Sequence, residues 1–130
     1  MRDQPSQEPA VPDLAELEAD VERRPDDVDA LLRLGWAQYG ADHPLPAEQA
    51  FERAAALRPD DPEPSFGLGL ALKRQVKKEP AIRAFRRAAD LTQGLSDRAR
   101  ASILRRLALG HINYLERGEW DLEREVWGRA

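Results

Sequence analysis

Apolar residues along this chain recur at three- and four-residue steps, the spacing that lines one face of a helix, and proline, glycine or aspartate marks the ends of each run. Leu14, Leu17 and Val21 form the first run. Asp13 and Glu16 can close a capping box ahead of it and Pro25 ends it, which predicts a helix of about 11 residues. Leu31, Leu34, Ala37 and Gln38 follow, with Asp27 as N-cap and Gly40 opening the turn. Ala47, Phe51, Ala54 and Leu57 make a stripe on the next helix; Pro46 suits its first position and Pro59 stops it. The plan then repeats, with Ser65, Leu68, Gly69 and Leu72 behind Pro62, and Ala81, Phe85 and Ala88 behind Pro80. No segment alternates with period two between turn signals, so the expectation is all-α.

One interval governs the repetition. Gly35 to Gly69, Ala47 to Ala81, Phe51 to Phe85 and Pro25 to Pro59 are each 34 residues apart. Residues 28–61 and 62–95 therefore read as two full helix-turn-helix units, and 13–27 as a half unit in phase with them. The third unit, 96–130, breaks the spacing. Ser96 to Ser102 are additional, contain no proline or glycine, and predict a following helix lengthened by about two turns, near Asp97 to Glu116. Gly118 then supplies a turn and Trp120 to Arg129 a last helix, seven in all. Residues 1–12 hold three prolines and little apolar surface, and read as a disordered N-terminal tail ahead of a single domain over 13–130.

Composition narrows the classes. Of 130 residues, 42% are apolar and 34% charged, as expected where each helix shows one face to a core and the other to water. No run approaches the roughly 20 apolar residues of a membrane span, and the N-terminus lacks the pattern of a secretory signal. The chain has no cysteine, which removes disulfides, thiolate chemistry and the common zinc sites. The expected location is the cytoplasm, with no membrane contact.

Charge is divided along the chain. Residues 1–63 carry 16 acids against 6 bases and residues 64–130 carry 8 against 14, so −10 and +6 sum to the net −4. The charges either coat solvated helix faces or, as an acidic end and a basic end, attract a partner or another copy head to tail.

The residues that carry the repeat resemble a known family. Leu31, Leu34-Gly35, Ala47, Phe51 and Pro59, then Leu68-Gly69, Ala81 and Phe85, match the tetratricopeptide pattern W-x2-L-G-x2-Y, A-x3-F, P at its own spacing. The match is good over residues 28–95 and poor in the third unit, where Tyr114, Gly118 and Trp127 fit one register and Leu109-Gly110 another. The resemblance implies a right-handed superhelical solenoid of stacked helical hairpins that serves as a protein-interaction or scaffold module rather than an enzyme.

It also implies a binding surface. In such proteins the first helices of successive units line a concave groove, and the positions that read ligands fall here on Leu32, Trp36, Tyr39 and Gly40, then Phe66, Leu70, Lys73 and Arg74. The implied groove is apolar and aromatic with a basic edge, suited to an amphipathic helix or extended peptide with acidic character. Trp36 and Phe66 are the candidate anchors, the alternative being that they pack against the neighbouring long helix or under the N-terminal helix, so that the short array fills its own groove. The carboxylate clamp of some family members is not present: Leu32 and Trp36 stand at its lysine and asparagine positions, and Asn113 is the chain's one asparagine.

The remaining chemistry is sparse. From Lys73 to Arg106 the chain carries 11 bases against 3 acids, enough to raise polyanion or nucleic-acid binding as the alternative. Stacking aromatics are few there and no nucleic-acid motif appears, so a solvated face or an acidic protein partner is the better expectation. His43 sits in a turn beside Asp42 and Pro44, and His111 lies in the long helix near Tyr114; nothing joins them to a nucleophile, and no phosphate loop or metal-ligand spacing is visible. No catalytic residue, cofactor or metal is expected. Trp120 and Trp127 either fold inward on the long helix or mark self-association with another copy.

Overall fold

The structure, a computed structural model, describes residues 13–118. It contains six α-helices: α1 (Leu14–Arg23), α2 (Val28–Gly40), α3 (Pro44–Leu57), α4 (Pro62–Arg74), α5 (Lys78–Leu91) and α6 (Arg98–Arg117), with a short 3-10 turn at Thr92–Gly94. The seventh helix expected over Trp120 to Arg129 lies outside the described residues, as does the N-terminal tail. Each helix packs on the next in the chain, and the alternate helices α2, α4 and α6 also touch.

The 34-residue interval is carried into the backbone. Val28 to Pro62 starts the first helices of the two units and Pro44 to Lys78 the second helices, both 34 residues apart. Asp27 and Asp61 cap α2 and α4, accepting bonds from Ala30 N and Glu63 N. Asp13 and Glu16 close the capping box before α1, satisfying donors that the first turn of a helix leaves without partners.

Two boundaries differ from the sequence reading for the same reason. The helices α3 and α5 begin two residues ahead of Pro46 and Pro80, placing those prolines at the third helical position. The first N–H groups of a helix have no intrahelical acceptor, so proline there removes no bond.

The turns differ too. Gly40 ends α2 rather than opening the turn, and the left-handed residue is Asp42 at φ 65°, matched 34 residues on by Val76 at φ 62°. Both turns close with the same bonds: His43 N to Gln38 O at 2.8 Å and Lys77 N to Leu72 O at 3.0 Å. This is the 6→1 bond of a Schellman cap, with Asp42 and Val76 where glycine is usual.

The core follows small residues facing large ones. Phe51 and Phe85 are fully buried, as are Ala47 and Ala81. A Cβ on Gly35 of α2 would lie 2.8 Å from Phe51 Cε1, and one on Gly67 of α4 only 2.5 Å, so the ring fills a slot that both helices leave open. Gly69 does the same for Phe85, at 2.7 Å. Gly67 was not legible from the repeat, since the pattern leaves that position open and Arg33 occupies it one unit earlier. Leu57, expected on the α3 stripe, is 41% exposed. Ten residues past Ala47 at 3.6 per turn lands about 80° off its face, which turns Leu57 toward solvent at the end of the helix.

Candidate functional site

The face shared by α2, α4 and α6 carries the polar contacts that tie alternate helices together. Toward the start of α4, Glu63 bridges both neighbours: it accepts from Trp36 Nε1 at 2.9 Å and from Arg100 Nη2 at 3.2 Å. Toward the end of α4 lies a cleft of about 400 Å³ lined by Tyr39 of α2, Leu70, Lys73 and Arg74 of α4, and His111 of α6. Its volume falls at the small end of ligand pockets, roughly 300–1,000 Å³.

Local structure explains why these side chains converge. Leu70, Lys73 and Arg74 stand three and four residues apart on α4, hence on one side of it. Lys73 and Arg74 occupy its last turn, where the partial negative charge of the helix end favours cations. Arg74 Nη1 donates to Asp42 Oδ1 at 3.0 Å, and its guanidinium lies 4.3 Å from the Tyr39 ring centroid. Asp42 first, and Tyr39 second, hold the Arg74 pKa above its ordinary value. The left-handed turn after α2 is what brings Asp42 to this rim.

Lys73 and His111 form the floor's polar pair. Lys73 Nζ is 3.0 Å from His111 Nδ1 and 4.6 Å from the centroid of the Tyr114 ring. An ammonium can only donate, so Nδ1 accepts and the ring proton sits on Nε2. The His111 ring stacks on Phe85 at 4.7 Å and 5° between planes. Burial, and secondarily the charge of Lys73, push the His111 pKa down to about 4, leaving the ring neutral at pH 7. Burial also lowers the Lys73 pKa.

The residues expected to line a groove divide into three groups. Tyr39, Leu70, Lys73 and Arg74 come together in the cleft. Leu32 and Phe66 are buried, 7% and 9% exposed; Leu32 packs with Leu31, Ala47 and Phe51, and Phe66 makes edge contact with Phe85 at 5.7 Å. They form core rather than accessible wall. Trp36 is half-buried, edge-on to Phe51 at 4.8 Å, with its N–H already committed to Glu63. Gly40 is exposed at the end of α2. Trp120 and Trp127 lie outside the described residues.

His111, Asp42 and Glu63 were missed by sequence reasoning. Asp42 had a signal available, since it shares the 34-residue interval with Val76; His111 had none, because α6 is out of phase with the repeat, and Glu63 reads from the sequence only as a first-turn acid of α4.

The bases from Lys73 to Arg106 are distributed over three helices rather than gathered on one face. Lys77 pairs with Glu48, Arg86 with Glu116 and Arg100 with Glu63, while Arg98 donates to Leu95 O at 2.8 Å. Arg83, Arg86 and Arg87 border a shallow cleft of about 290 Å³ on α5 alone. Among the described residues no group of three His, Asp or Glu side chains is placed to hold a metal ion. Nor is any helix among them long and apolar enough to cross a membrane.

No protein-family model matches the chain, and no curated protein matches it.

Proposed function

We propose that this chain is a tetratricopeptide-like solenoid, its hairpins stacked with a right-handed twist, and that it acts in the cytoplasm as a non-catalytic protein-interaction or scaffold module. The groove it uses is the face of α2, α4 and α6, and its ligand is a peptide or helix of a partner protein with acidic character. One observation carries this reading: Tyr39, Leu70, Lys73, Arg74 and His111 reach one cleft from three helices that are not consecutive in the chain. Such convergence supports a surface for reading an extended ligand, which a single helix face does not offer.

The chemistry of the cleft favours a particular ligand. Leu70 and Tyr39 give an apolar wall for one side chain, and Lys73 with Arg74 gives a cationic edge for a carboxylate. The neutral His111 adds no charge at pH 7. The dispersal and pairing of the other bases argue against a polyanion site, which needs a continuous run of phosphate contacts.

Peptide display tests the reading. Peptides selected on the wild-type protein should be enriched in an apolar residue beside Asp or Glu, and should lose at least about tenfold in affinity on Leu70→Asp or Lys73→Glu, given hot-spot losses of about 2 kcal/mol or more. Circular dichroism confirms that the variants are folded. If the selected peptides bind both variants as well as wild type, the cleft is not the site.

A further inference from the structure

The cleft lies beside the point where the described chain ends. Tyr114, whose ring approaches Lys73 Nζ, belongs to the last turn of α6. Gly118 then leaves the helix at φ 81°, its N–H bonded to Tyr114 O at 2.7 Å. The left-handed conformation redirects the chain within one turn of the cleft rim. Twelve residues follow, 119–130. At up to roughly 3.3 Å per residue they can reach about 40 Å, ample to lie along a site that starts one helical turn away.

Their chemistry is the complement of the cleft. Glu119, Asp121, Glu123 and Glu125 oppose Arg124 and Arg129, a net charge of −2, and they are interleaved with Trp120, Leu122 and Val126. Across from them the cleft presents an apolar wall at Tyr39 and Leu70 and a cationic edge at Lys73 and Arg74. We propose that residues 119–130 are a built-in ligand of this cleft, an autoinhibitory contact that an external peptide must displace. The proposal rests on the reading of the cleft as a peptide site.

Tethering makes a weak contact effective. A short flexible linker holds its end at an effective concentration of about 1 mM, so a segment with an intrinsic dissociation constant of about 100 µM lowers the apparent affinity of a competitor by about tenfold. The contact therefore sets a threshold: only peptides that bind the cleft better than the protein's own segment occupy it.

Two measurements on the full chain test this. Zero-length carbodiimide coupling of the protein, followed by peptide mapping of the monomer fraction, should join Lys73 to one of Glu119, Asp121, Glu123 or Glu125. The Lys77–Glu48 pair, 3.4 Å apart, is the internal control. The control product without the Lys73 product overturns the proposal, and so does a Lys73 product confined to covalent dimers, which assigns the cleft to a second copy.

The second probe is a fluorescein-labelled synthetic peptide of residues 119–130. It should bind about tenfold more tightly to the full-length variant Glu119→Gln/Trp120→Ser/Asp121→Asn/Glu123→Gln than to wild type, and binding should be lost when Leu70→Arg is added. Equal affinity for wild type and the fourfold variant, or binding to neither, overturns the proposal. Display-selected peptides that still bind through Leu70 in that case leave the peptide-binding reading standing. Conversely, cross-linking in cis with no external peptide able to displace the segment defeats that reading and leaves the intramolecular contact.

Discussion

Replacing Val76 should make this protein more stable, although it removes a side chain and adds no contact. Val76 holds φ 62° in the turn between α4 and α5 and is 87% exposed. A β-branched residue in the left-handed region brings Cβ and its two methyl groups against the neighbouring carbonyl, a cost of about 1–2 kcal/mol. Because the side chain is almost wholly in water, its removal forfeits little burial. Val76→Gly relieves the strain but adds roughly 0.5–1 kcal/mol of backbone entropy in the unfolded chain, for a net gain of about 0.5–1 kcal/mol. Val76→Asn tolerates the left-handed region without that entropy term and should gain about 1 kcal/mol.

The backbone bonds of the turn, Val76 N to Lys73 O at 2.9 Å and Lys77 N to Leu72 O at 3.0 Å, are kept in either variant. The equivalent turn supplies the converse. Asp42→Val puts valine into φ 65° and also removes the Arg74 partner, so it should destabilise by at least about 1 kcal/mol. Urea denaturation followed by circular dichroism reads all three, as shifts of midpoint at constant slope. Val76→Gly and Val76→Asn both leaving the midpoint unchanged or lowering it would refute the assignment of strain to this turn.

Four further outcomes follow from the packing and the electrostatics. Gly67→Ala should cost about 1–3 kcal/mol, since its methyl would meet the trapped Phe51 ring at 2.5 Å, whereas Gly40→Ala, with nothing within 4 Å, should gain about 0.5–1 kcal/mol in helix propensity; equal effects in urea melts would contradict the slot. Phe51→Ala and Phe85→Ala should each cost about 3–5 kcal/mol, against well under 1 kcal/mol for the exposed Leu57→Ala. Gln38 is buried at the position that Leu72 holds one unit later, and its Oε1 has no protein partner among the described residues; Gln38→Leu should stabilise by about 1 kcal/mol, and a thermal melt showing a loss would mean that the amide is satisfied. The pH dependence is set by His111, whose folded pKa of about 4 lies below the 6.5 of the unfolded chain. The unfolded state binds the extra proton between those values, so the His111 contribution should be fully present above pH 6.5 and be lost as pH drops toward 4. His111→Gln should flatten that part of the pH–stability curve, and an unchanged slope would place the titration elsewhere.

Much of the fold was legible because it is local. Aspartates at caps, prolines in first turns and apolar residues at helical steps act within a few residues of themselves, so α1 to α5 follow from spacing, and the run of Arg and Ala after Ser96 extends α6 to its 20 residues. The resemblance put Tyr39, Leu70, Lys73 and Arg74 on one surface, and these four line one cleft. It could not separate accessible wall from core: Leu32 and Phe66 sit at equally regular positions but are covered by neighbouring helices, and no periodicity records how closely two helices approach.

The sequence by itself determined the helices α1 to α6 and the 34-residue interval that sets Gly35, Phe51, Gly69 and Phe85 in register. Only the tertiary structure decided that Gly67 shares the Phe51 slot, that the turns put Asp42 and Val76 in left-handed backbone, and that His111 joins Lys73 across 38 residues of chain. The physical reason is range. Capping and amphipathic spacing are set by neighbours along the chain, whereas burial, the lowered His111 pKa and the cleft itself arise from groups that meet only once α6 has packed across α4 and α5.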